Sequence, residues 1–193
     1  MRAKNRNFKM GILIVGLTSM LFAFHVLSLA AALAASASAI DRDARASLAD
    51  LYKHTPGAKA LGDKAVAVLV FPTIVKGGFI IAGQFGDGAL RKGGKTVAYY
   101  RSLAASYGFQ AGVQAYGYVL FFMDDASLQY LDNTAGFELG VGPSLVVLDA
   151  GFGKNVSTTT LQKGIYAFIF DQKGLMGGAG IQGSKITKIN PYP

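Results

Sequence analysis

The stretch from Ser106 to Phe122 alternates with period two. Tyr107, Phe109, Ala111, Val113, Ala115, Gly117, Val119 and Phe121 fall on one side of an extended chain, and Ser106, Gly108, Gln110, Gly112 and Gln114 on the other. In a helix these residues would scatter around the axis, so the run commits the chain to one long β-strand or two. From Tyr116 both sides turn apolar, which predicts deeper burial for the second half. The small residues within it imply a curved sheet or the close approach of another backbone.

The flanking sequence extends this β character. Ala65–Phe71 is a β-branched run stopped by Pro72, and Gly77–Gly83 reads as a further strand. Gly86-Asp87-Gly88 reads as a turn or bulge, because glycine reaches positive φ. Lys92-Gly93-Gly94-Lys95 predicts a hairpin turn leading into Thr96–Tyr100. Short strands are expected over Phe137–Val141, Ser144–Leu148, Ile165–Asp171, Leu175–Gln182 and Lys185–Ile189, with a turn at Gln172-Lys173-Gly174. Helical spacing is confined to three places. Asp41–Thr55 repeats Ala44, Leu48, Leu51 and Tyr52 as an apolar stripe, with Arg42, Arg45 and Lys53 on a neighbouring one. Pro56-Gly57 breaks that helix and a short one follows over Ala58–Asp63. Ala126–Leu131 is the third. The fold class is therefore α+β, predominantly antiparallel β (a curved sheet or barrel-like), with N-terminal helices and one short mid-chain helix.

Ahead of this domain, Arg2, Lys4, Arg6 and Lys9 precede an uncharged apolar run that ends in Ala37-Ser38-Ala39. A basic head, an apolar centre and an A-x-A end make a secretory signal peptide, with cleavage expected before Ile40. The run is also long enough to serve as an uncleaved anchor, and a basic flank would keep its head in the cytoplasm. Either way the rest is exported, which places it in the periplasm or cell envelope. The division is a signal over residues 1–39 and one domain over 40–190. The chain has no cysteine, which removes lipoprotein attachment, disulfides and thiol chemistry. Four of its 19 basic residues lie in the leader, leaving 15 against 11 acidic ones and lowering the formal charge from +8 to +4. That balance suits an anionic partner and also ordinary solubility.

Signals of catalysis are missing. There is no P-loop, and Gly140-Val141-Gly142-Pro143-Ser144 lacks the strand–glycine–helix setting of a dinucleotide site, with Pro143 removing an N–H. There is no G-x-S-x-G elbow. After the leader the one histidine is His54, too few for a metal cluster. Asp124-Asp125 suits a helix N-terminus better than a carboxylate dyad. Asp87 between glycines reads as structural. No cofactor is expected, and scattered basic residues argue against nucleic acid.

The block from Gly57 to Ile189 resembles the SYLF domain family. The resemblance rests on Pro56–Leu61, Val68–Phe79, Gly86-Asp87-Gly88, Gly108–Gly112, Leu120–Met123 and Gly140–Ser144, and then on Tyr166–Phe170, Gln172–Met176 and Gly183–Thr187. Phe137 stands where the family pattern has a tryptophan. The resemblance implies binding of acidic phospholipids without catalysis, in part through an N-terminal amphipathic helix. Some eukaryotic members are linked to actin, a partner not expected for an exported chain. The lipid-binding candidates are Arg42, Arg45 and Lys53 on the first helix, and Arg91, Lys92 and Lys95 around the hairpin turn. An outer-membrane β-barrel or barrel-associated structural protein is the alternative, on the strength of export and glycine–aromatic alternation.

Overall fold

The computed structural model describes residues 35–133, 137–138, 145–148, 164–174 and 184–193. Helix α1 (Ala37–His54) begins ahead of the expected Asp41 because Ser36 caps it, its Oγ accepting the Ala39 N–H at 3.2 Å. The helix ends at Thr55, whose N–H reaches the Leu51 carbonyl. Thr55 also starts α2 (Pro56–Gly62), where Pro56 occupies the first helical turn and its missing N–H costs nothing. Pro56-Gly57 thus opens the second helix as well as closing the first.

Strands β1 (Ala67–Lys92) and β2 (Lys95–Phe122) form one long antiparallel hairpin. It closes at the expected turn, where Gly93 (φ 57°) and Gly94 (φ 78°) supply the left-handed pair that a two-residue loop needs. The separate segments expected upstream are one strand. Pro72 does not stop it but sits in a bulge between Phe71 and Ile74, where a strand tolerates a missing donor. Gly86-Asp87-Gly88 is not a turn, for these residues pair in register with Ser102, Arg101 and Tyr100. Their small size answers a distant contact instead. A Cβ at Gly86 would strike the Thr73 carbonyl and Ile74, and one at Gly88 would strike the Val70 carbonyl and Phe71. The second half of β1 therefore crosses tightly over the first, and the hairpin folds back on itself.

The other strands add to β2. β5 (Ile165–Gly174) pairs with its second half and β6 (Lys185–Ile189) with its first, both antiparallel. β3 (Phe137–Glu138) pairs with β6, and β4 (Leu145–Leu148) runs parallel to β5. The result is a six-stranded, mostly antiparallel sheet whose described strands do not close into a ring. β5 runs straight through the expected turn at Gln172–Gly174, and its irregularity lies at Asp171 (φ 53°), opposite a register shift in β2. The strand expected at Leu175–Gln182 lies outside the described residues, as do the ends of those expected at Phe137–Val141 and Ser144–Leu148. Helix α3 (Asp125–Asn133) is capped by Asp124, whose Oδ1 accepts the Ser127 N–H and whose Oδ2 accepts the Gly164 N–H, both at 2.7 Å. Asp124 thus anchors the helix start to the entry of β5.

Inside the folded hairpin lie Leu69, Phe71, Ile74, Tyr118, Leu120 and Phe122, joined by Leu90, Tyr100, Ile186 and the α3 residues Leu128 and Leu131. Phe71 meets Tyr118 with ring centres 4.7 Å apart. Truncating Phe71 to alanine would cost about 3–5 kcal/mol. The opposite face, formed by Val68 and Val70 of β1, Val119 and Phe121 of β2 and Phe168 of β5, is also buried. Tyr52 of α1 stacks on Phe121 at 6.4 Å. Burial on both faces explains why both sides of β2 turn apolar from Tyr116.

Candidate functional site

Helix α1 rests on the domain through Ile40, Ala44 and Leu51, so its apolar stripe faces inward. At about 100° per residue, Arg45, Arg42 and Lys53 fall at roughly 140°, 200° and 220° from Ile40, one stripe on the far side. All three are exposed. Arg42 is held by Asp43 at 2.9 Å, and Asp50 lies against His54 at 3.3 Å. With Asp41, these acids bring the helix to three carboxylates against three Arg and Lys side chains.

The tip of the hairpin is built differently. Arg91 is half-buried and turned onto the loop, donating to the Gly94 carbonyl and to the Thr96 Oγ1. Lys92 and Lys95 are exposed and stand directly opposite each other across Gly93-Gly94. No acidic residue occurs between Asp87 and Asp124. Asp87 itself is taken: its carboxylate accepts Arg101 Nε at 2.7 Å and Nη2 at 2.9 Å, and its side chain is 6% exposed. The Arg101 guanidinium also lies 4.8 Å from the centre of the Phe85 ring. That leaves Arg91, Lys92 and Lys95 with no counter-charge on either strand of the hairpin tip.

Two tyrosines connect helix and tip. Burial pushes the Tyr52 hydroxyl up to about 12, with Asp63 adding to the shift and Arg91 opposing it. Tyr99 is raised by burial and by the Asp41 carboxylate that it hydrogen-bonds, against the pull of Arg45. The Tyr52 turn of α1 is therefore within electrostatic reach of Arg91, and the Arg45 turn within reach of Tyr99. The structure brings the two sets of basic candidates to neighbouring parts of one surface, with Arg42 and Lys53 pointing away from the sheet.

A second polar region gave only a faint signal in the sequence. Gln114 belongs to the polar side of the alternating run, yet it is 4% exposed while its neighbour Val113 is 63% exposed. The polar side of the run is here the inner one. There Tyr116 donates to Gln84 Oε1 at 2.8 Å, Gln84 Nε2 donates to Ser184 Oγ at 2.7 Å, and Tyr118 donates to Ser102 Oγ at 2.8 Å. Burial raises the Tyr116 hydroxyl to about 12, although its bond to Gln84 lowers it.

Residues 103–190 match the family model described as Ysc84, Las17-binding protein actin regulator. Over these residues the chain is similar to the SYLF family, consistent with the resemblance of its sequence. The SYLF match takes in β2 from Leu103 and runs on to Asn190, and it leaves out α1 and the hairpin tip. The SYLF family is linked to lipid binding and to actin regulation. No curated protein matches the chain.

Proposed function

We propose that this protein is a non-catalytic module that binds anionic phospholipid at the cell envelope, through the hairpin tip and the adjoining stripe of α1. The observation that carries the reading is Lys92 facing Lys95, with Arg91 beside them and no acid on either strand of the tip. Like charges directly opposed across a hairpin destabilise it. A phosphate headgroup seated between them turns that repulsion into attraction, at about 1 kcal/mol per basic side chain near an anionic surface. The signal-like N-terminus supports export to a compartment where phospholipid is the abundant anion. The description of the SYLF model favours a second reading, a protein partner of the actin-regulator kind. A membrane-spanning barrel is the weakest of the three, since β1 and β2 bury aromatic side chains on both faces.

Co-sedimentation of the purified protein with vesicles tests the proposal. Phosphatidylglycerol vesicles should carry the protein down at low salt and progressively less as salt rises, and phosphatidylcholine vesicles should leave it in solution. Equal binding to both lipids defeats the electrostatic reading. Sedimentation with actin filaments but not with phosphatidylglycerol selects the protein-partner reading. Export is tested by intact mass: the expected species starts at Ile40, and full-length mass in the membrane fraction means an anchor.

A further inference from the structure

The inner face of the folded hairpin changes character along its length. Towards α3 it is lined by Leu69, Phe71, Leu120 and Phe122. Towards the bend it passes through Ile74 opposite Tyr116, then Lys76 opposite Gln114, then Gly78 opposite Gly112. Paired residues two apart project from the same face, so Lys76 and Gln114 follow Ile74 and Tyr116 on the inner side. The next pair has no side chains at all and leaves the lip of the face unobstructed at that step.

Three polar groups stand at or near this end. Gln114 is 4% exposed, and its Oε1 is buried with no hydrogen-bond donor among the described residues. Such an acceptor normally costs the fold the desolvation of a polar group with nothing in return. Lys76, half-buried beside it, makes no ion pair or side-chain hydrogen bond among the described residues. Ser184, fully buried, accepts from Gln84 and keeps a proton to give. Lys76 thus stands directly opposite an acceptor that needs a donor, and Ser184 joins the same inner face through Gln84 and Tyr116, two residues along β2 from Gln114.

We propose that Lys76, Gln114 and Ser184 form a pocket for a glycerol-phosphate head: phosphate oxygens on the Lys76 ammonium and the Ser184 hydroxyl, and a glycerol hydroxyl donating to Gln114 Oε1. The proposal rests on the anionic-lipid reading and narrows it, since the acceptor selects a headgroup with free hydroxyls over a bare phosphate. It also divides the work, with the hairpin tip meeting the membrane surface and the interior selecting one headgroup.

The test uses soluble probes that the surface reading does not require. Glycerol 1-phosphate should raise the melting temperature of the protein more than inorganic phosphate does, and dihexanoyl phosphatidylglycerol below its micelle concentration should do the same relative to dihexanoyl phosphatidic acid. A response to the soluble head but not to the short-chain lipid would make the ligand a free metabolite and overturn the lipid assignment. Lys76→Ala should weaken glycerol 1-phosphate by about ten- to a hundredfold, the usual worth of a charged hydrogen bond. Gln114→Leu should abolish the preference for glycerol 1-phosphate over phosphate and also raise the ligand-free melting temperature, because it removes an unsatisfied buried acceptor. A lower melting temperature with unchanged affinities would mean that Gln114 is satisfied by buried water, and would overturn the proposal. Should Gln114→Leu fail to fold, Lys76→Ala at its half-exposed position still decides: unchanged affinity sinks the pocket. Lys92→Ala with Lys95→Ala should leave binding of the soluble head intact. If no soluble probe binds while phosphatidylglycerol vesicles do, the pocket fails and the surface reading stands.

Discussion

Helix α1 and the β1–β2 tip each carry three Arg and Lys side chains, but only the tip keeps a net charge. On α1, Asp41, Asp43 and Asp50 are interleaved with Arg42, Arg45 and Lys53 within five turns of helix. Charges further apart than about 10 Å are screened at 0.1 M salt, and within that distance the helix presents both signs. At the tip, the next acid along either strand is Asp87, and Arg101 already occupies it. An amphipathic basic helix is the more conspicuous pattern in a sequence, yet its counter-charges cancel much of the field it would project. What attracts an anionic surface is the local excess of one sign.

The largest expected effect follows from that excess. Reversing Lys92 and Lys95 together to glutamate removes two cations and adds two anions at the tip. At about 1 kcal/mol per charge near the membrane, the pair should cost about 4 kcal/mol, roughly a thousandfold in vesicle affinity. The alanine pair should cost half that energy, about thirtyfold, and should melt no lower than the parent because an opposed like-charge pair is relieved. Both losses should shrink as salt is raised. Undiminished sedimentation of the reversed variant would remove the tip from the contact.

Arg101 provides the contrast within the same sheet, a cation whose charge is already met. Asp87→Asn should lower stability by about 1–2 kcal/mol, less than a fully buried charged hydrogen bond because Arg101 is 30% exposed. Vesicle binding should not fall, since no cation is lost. Denaturant unfolding and co-sedimentation on the same variant read the two effects separately. A loss of binding with stability intact would make Asp87 part of a site.

Local grammar carried much of the fold. Gly93-Gly94 can hardly serve any purpose but a tight turn, Asp124 is a helix cap by type and position, and the α1 stripe at Ala44 and Leu51 has the period of a buried face. Misreadings arose where a residue answers to something distant in the chain. Gly86 and Gly88 make room for Val70–Ile74, and Pro72 is absorbed by a bulge because the partner strand passes it with one residue fewer. None of this can be read within a local window. The site was half legible. The basic candidates were visible as residues, but their pairing was not, and pairing separates Lys92 and Lys95 from Arg42 and Arg101. Gln114 was visible on the polar side of an alternating strand, where polarity ordinarily means solvent. Only the fold-back of the hairpin turns that side inward.

The helix offers the smallest effect and the sharpest discrimination. Counting cations alone, Arg42→Ala, Arg45→Ala and Lys53→Ala together should cost about 2–3 kcal/mol of membrane affinity. The pairing lowers that expectation. Arg42 is engaged by Asp43, and the carboxylate of Asp41 lies near the Tyr99 hydroxyl that Arg45 also influences. Lys53 makes no ion pair among the described residues. Asp43 and Asp50 sit at roughly 280–300° around the helix, beside the basic stripe, so part of its charge is already offset. The triple variant should therefore lose about 1 kcal/mol, near fivefold, with circular dichroism unchanged. A loss above thirtyfold would make α1 the principal membrane contact and invert the comparison with the tip. A loss below twofold would leave the tip to act alone, with α1 serving to cover Phe121 and hold Tyr52 beside Arg91.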